Sequence, residues 1–139
     1  MRFRIILIAL ALFSLKNNAQ RINGQKLDTL NYLKQFETNK VNYIGQPFSK
    51  LLNDITQIQP KTVWPSPNFK AKDYNFETDF NFCNKEFSFH NAITLSIVWQ
   101  TPVLRSYTKY YQLLNHSYFT NDERNFYGNK IIKDIKVYR

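Results

Sequence analysis

The side chains suited to catalysis are few: two histidines (His90 and His116), one cysteine (Cys83) and ten carboxylates. None falls into an HExxH, GxSxG, P-loop, EF-hand or zinc-type Cys/His spacing. One pair has a chemical reading. If the alternation around position 80 continues through a tight turn at Asn84-Lys85, Asp79 faces His90 across two strands, with Glu77 one step along. A carboxylate that holds an imidazole is half of an acid–base arrangement of the hydrolase kind. The nucleophile is missing, because Ser88 stands beside His90 in no motif. The plainer reading is an exposed cross-strand charge pair worth roughly a few tenths of a kcal/mol. Cys83 lies at the far end of the hairpin arm from His90 and does not meet it. No cofactor motif is present, and a metal site built on His90 and His116 would need carboxylate partners that the sequence does not single out.

The elements that would position these residues can be read from hydrophobic period. From Tyr74 to Phe82 every even position is aromatic or Thr, and the odd positions are Asn75, Glu77, Asp79 and Asn81. That is the pattern of a half-buried strand, whose successive side chains leave opposite faces. The pattern resumes on odd numbers with Phe87, Phe89, Ile93, Leu95, Ile97 and Trp99. A turn at Asn84-Lys85 then pairs Phe82 with Phe87, Phe80 with Phe89, Phe76 with Ile93 and Tyr74 with Leu95. This register gathers the large apolar side chains on one face and leaves Asn75, Glu77, Asp79, Asn81, Ser88 and Thr94 toward water.

Around this ribbon, Leu27, Leu30, Leu33 and Phe36 predict a helix over Lys26 to Lys40. Gly45 and Pro47 open a second, from Pro47 to Ile55, with Phe48, Leu51, Leu52 and Ile55 on one face. From Thr56 to Lys72 the prolines Pro60, Pro65 and Pro67 predict an extended loop without regular structure, carrying Trp64 and Phe69 as candidate binding anchors. Thr101-Pro102 starts a third helix whose apolar face is Val103, Leu104, Tyr107, Tyr110, Tyr111 and Leu114. Its tyrosines, interleaved with Arg105 and Lys109, resemble a stacking platform for single-stranded nucleic acid; the helical spacing favours core instead. Thr120 and Glu123 form a capping box for a short helix that Gly128 closes. The final segment, Lys130 to Tyr138, reads as an edge strand with Ile131, Ile135 and Val137 on one face. The order predicts an α+β fold: a two-layer sandwich with an antiparallel sheet of about three to four strands and helices on its aromatic face.

Residues 1–19 read as a signal peptide: Arg2 and Arg4, an apolar run from Ile5 to Leu15, and a small residue at Ala19. The run is short for a bilayer span, although an uncleaved anchor is the alternative. Residues 20–139 are then a single exported domain, periplasmic or extracellular, with no transmembrane segment. One cysteine excludes an internal disulfide. The formal charge of +9 falls to +6 once Arg2, Arg4 and Lys16 are removed, leaving 16 basic against 10 acidic residues. The basic residues are scattered, and the richness in Lys, Asn, Ile, Tyr and Phe with little Gly and Pro has a compositional explanation. The leading expectation is a non-enzymatic protein that binds another protein or a cell-envelope component. The alternatives are a hydrolase built on Asp79 and His90, and a basic module binding an anionic polymer through Lys109, Lys130, Lys133, Lys136 and Arg139. Nucleic acid is disfavoured as a partner.

Overall fold

The strand announced by the alternation occupies Tyr74–Asn81 and lies inside an antiparallel sheet. The computed structural model describes residues 26–139, so the signal-peptide expectation lies outside the described residues. In chain order the elements are α1 (Thr29–Thr38), α2 (Phe48–Asp54), β1 (Thr62–Pro65), β2 (Tyr74–Asn81), β3 (Thr94–Leu104), α3 (Arg105–Leu114), α4 (Asn121–Gly128) and β4 (Ile132–Tyr138). The strands lie in the order β1-β2-β3-β4. Helices α1, α2 and α4 pack on the sheet's aromatic face, which makes the fold the expected α+β sandwich.

The hairpin register is not the expected one. Phe80 pairs with Leu95 rather than Phe89, six residues further along, and Asp79 with Ser96 rather than His90. Because six is even, Leu95, Ile97 and Trp99 keep the face of Phe80 and Ser96 that of Asp79, but Phe89 moves to the Trp64 side. Asn75, Asn81, Ser88 and Thr94, expected toward water, are buried, and Tyr74 and Phe76, expected in the core, are exposed at the far end of the strand. Burial decides between the two registers. Leu95, Ile97 and Trp99 are buried opposite β2, whereas Phe87 and Phe89 are left exposed in a long connection. That connection contains a single 3₁₀ turn, Lys85–Phe87, where a two-residue turn at Asn84-Lys85 was expected.

The Pro-rich segment is also more ordered than its composition predicts. Thr62–Pro65 adds β1 to the sheet's edge, pairing Val63 with Phe80 and Trp64 with Asp79. An edge tolerates Pro65 because only one side of the strand must donate to a neighbour. Both edges are covered. The Val63 N–H donates to the Ser117 carbonyl (2.9 Å), and the Val137 N–H of β4 donates to Glu37 Oε1 of α1 (3.0 Å). Inside β4 the buried side chains are Ile132, Ile135 and Val137, not Ile131, because an irregularity opposite Val98-Trp99 shifts the alternation.

The third helix begins three residues late. Thr101 and Pro102 lie in a bulged stretch of β3 before Val103 and Leu104 re-pair with Asn75 and Tyr74. Helix α3 therefore starts at Arg105, whose N–H donates to the Asp73 carbonyl (2.8 Å). The Thr120/Glu123 capping box forms as predicted, and Gly45 holds a φ of +79° at the approach to α2.

The register makes a quantitative prediction. Phe80→Ala, at a fully buried site, should destabilise the protein by about 3–5 kcal/mol in urea unfolding. Phe89→Ala, at a residue 76% exposed, should cost less than about 1 kcal/mol. Equal costs would restore the short-turn register.

Candidate functional site

On the sheet face away from α1, α2 and α4, β2 presents Glu77, Asp79 and Asn81, and β3 presents Ser96 opposite Asp79. Strand β4 adds Lys136 opposite Ser96 and Tyr138 opposite Thr94. The Ser96 Oγ is fully buried and lies 2.6 Å from Asp79 Oδ1, within hydrogen-bond reach of Glu77 Oε1 as well. Tyr138 donates its hydroxyl to Asp79 Oδ2 (3.2 Å), and Lys136 Nζ donates to Glu77 Oε1 (3.2 Å).

These contacts carry a proton count. A serine hydroxyl has one hydrogen, so it can donate to only one of two carboxyl groups. The second short contact is satisfied when the other carboxyl is protonated and donates into the serine oxygen. Asp79 is the carboxyl whose surroundings favour the proton. Burial pushes its carboxyl above the usual range and the Glu77 charge adds to this, outweighing the hydrogen bonds from Ser96 and Tyr138 and the attraction of Lys136. A hydrogen-bonded chain results, Tyr138–Asp79–Ser96–Glu77, with Lys136 pairing Glu77. Tyr138 is itself pushed up to about 12, first by burial and then by Asp79. With its hydroxyl sealed from solvent, Ser96 is out of a substrate's reach.

His90 is elsewhere. It is exposed in the β2–β3 connection, and Asp79 makes its hydrogen bonds to Ser96 and Tyr138. The expected Asp79–His90 cross-strand pair is therefore absent, a direct result of the six-residue change in register. The connection instead folds over the polar face. Ser88 Oγ contacts Thr62 Oγ1 (3.2 Å), the Asn81 amide donates to the Ser88 carbonyl (3.1 Å), and Phe89 packs on Trp64 with ring centres 4.8 Å apart. Trp64 also donates its indole N–H to Thr62 Oγ1 (3.1 Å). It is thus half-buried under Phe89, while Phe69 stands 89% exposed beside a turn made by the Asn68 side chain. Cys83 is a half-buried free thiol. Among the described residues, no three His, Cys, Asp or Glu side chains converge as metal ligands.

The basic side chains do not form one cluster. Lys136 is paired with Glu77, Lys130 sits 4.6 Å from the Phe126 ring centre, and the Arg139 guanidinium donates to the Asn91 carbonyl.

A different surface, read from the sequence as core, lies open. Of α3 only Thr108 is fully buried, its hydroxyl donating to Asn75 Oδ1 (2.7 Å). Leu113 is 68% exposed, Tyr110 58%, Tyr107 55% and Leu114 51%. At about 100° per residue these four span an arc of roughly 120° that points away from the protein. A surface helix ordinarily turns such a stripe inward. Tyr107, Tyr110, Tyr111 and Ser106 line a shallow, open depression of about 490 Å³ along it.

The proton count gives a pH prediction. The folded protein holds the Asp79 proton more tightly than the unfolded chain, so this group's contribution to stability is fully present below the unfolded carboxyl pKa. It is lost as pH rises through the raised folded value. Urea unfolding from pH 4 to neutrality should show wild-type stability falling relative to Asp79→Asn. Parallel curves would mean that Asp79 is ionised throughout.

No protein-family model matches the chain, and no curated protein or solved structure matches it either.

Proposed function

We propose that this protein is an exported, non-enzymatic binding domain, and that the outward arc of α3 is its contact surface. One observation carries the reading: the helix with the clearest apolar stripe exposes it to solvent. Isolated exposed apolar residues are ordinary on a monomer, but a contiguous stripe of two tyrosines and two leucines is the kind of patch that marks an interaction site. Tyrosine suits such a surface, since it supplies a large rigid contact with a polar tip at little entropic cost. The class of partner remains another protein or a component of the cell envelope. The proposed anchors are Tyr107, Tyr110, Leu113 and Leu114; of the two expected from the sequence, Trp64 is already packed against Phe89, while Phe69 stays exposed apart from this stripe. Export rests on the basic start and apolar run of residues 1–19.

A binding surface differs from a core in what its mutation does. The double variant Tyr110→Ser/Leu113→Ser should unfold within about 1 kcal/mol of wild type, as surface substitutions do. A loss of several kcal/mol would assign these residues to packing. A photo-crosslinking side chain placed at Leu113 in the producing cell should give adducts that one at Val41, which is even more exposed and lies elsewhere on the surface, does not. Indistinguishable adduct patterns at the two positions would sink the reading.

A further inference from the structure

The charges around α3 identify what its outward arc meets, taking as given that the arc is a contact surface. Arg105 and Lys109 lie along one border of the Tyr107–Tyr110–Leu113–Leu114 stripe at helical spacing. On the opposite border Tyr107 packs against Phe126 (6.3 Å between ring centres), and Lys130 lies over that ring. None of these three cations is in an ion pair among the described residues. Helix α3 contains no Asp or Glu. The acidic side chain at its N-terminal end, Asp73, lines a separate depression together with Lys72, Arg105 and Lys109. The stripe is thus apolar along its crest and cationic on both flanks.

We propose that α3 docks in the plane of an anionic bilayer surface. An amphipathic helix of this design sinks its apolar side chains into the boundary between headgroups and acyl chains, with tyrosines at headgroup level. The flanking cations then meet lipid phosphates, each strengthening binding roughly fivefold. The competing occupants fit less well. A second copy of the chain would present a helix with the same cations and no Asp or Glu to meet Arg105 and Lys109. An acidic polymer would satisfy the cations and leave Leu113 and Leu114 in water. A groove in an acidic protein is the remaining competitor, and the experiment separates it.

The test is co-sedimentation of the full chain with vesicles of phosphatidylcholine alone and with phosphatidylglycerol added. The expected result is binding at least about tenfold stronger to the anionic vesicles, weakened as salt shortens the screening length. Tyr110→Ser/Leu113→Ser and Arg105→Glu/Lys109→Glu should each weaken it by about tenfold or more, while Val41→Ser leaves it unchanged. Each variant is first checked for wild-type unfolding, and Lys109→Gln serves as a milder substitute if the charge reversal fails to fold. No vesicle binding, or binding that the serine variant retains, overturns the proposal. If vesicles fail but the crosslinker at Leu113 captures an acidic protein, or sedimentation equilibrium shows a dimer that the serine variant abolishes, the lipid proposal falls and the contact surface stands. If vesicles and crosslinking both fail, the two readings fall together.

Discussion

The ring of Phe80 lies 4.7 Å from that of Phe48, 5.5 Å from Tyr127, 5.6 Å from Phe119 and 6.5 Å from Trp99. Helix α2, helix α4, the segment before it and the neighbouring strand therefore all meet at one side chain. Most of these pairs are near edge-to-face, the geometry favoured by the ring quadrupole. With no disulfide available, this packing is what holds helices to sheet. It also fixes the β2–β3 register, because only a pairing that puts Leu95, Ile97 and Trp99 beside Phe80 and Thr78 closes the cluster. Trp99 adds a polar lock by donating its indole N–H to Thr78 Oγ1 (2.9 Å).

That register has consequences on the other face. Once Phe80 is opposite Leu95, Asp79 must be opposite Ser96, and the residues from Phe82 to Ile93 are released as a connection long enough to fold back. Ser88 and Phe89 use that freedom to cover Thr62 and Trp64. The polar face is therefore partly roofed, and the Glu77–Ser96–Asp79–Tyr138 chain sits where a water-exposed row was expected. Burial there raises the Asp79 pKa, because a buried charge carries a larger penalty than a buried neutral carboxyl.

The alternation from Tyr74 to Phe82 was legible, as were α1, α2, the capping box at Thr120 and the terminal strand, because each has a strong local period or cap. The register was not, because Phe87 and Phe89 continue the same parity as Leu95 and Ile97, and parity cannot distinguish registers that differ by an even number. Strand β1 was hidden by Pro60, Pro65 and Pro67, whose lack of an N–H is harmless at an edge. The orientation of α3 was hidden by its start. With Thr101-Pro102 as its opening, Val103 and Leu104 fall with the tyrosines on one core face. With Arg105 as its first residue, Thr108, Tyr111 and Gln112 turn toward the protein, and the leucines and two other tyrosines turn out. A bulge in β3 sets that start, and no local sequence signal marks it.

The outward orientation of α3 is read directly by side-chain NMR with a soluble paramagnetic agent. The methyl groups of Leu113 and Leu114 should broaden strongly, along with the Tyr107 and Tyr110 rings, while the methyls of Leu33 and Leu51 stay sharp as core groups. If the Leu113 and Leu114 methyls are as protected as those of Leu33 and Leu51, α3 faces inward and the contact surface does not exist.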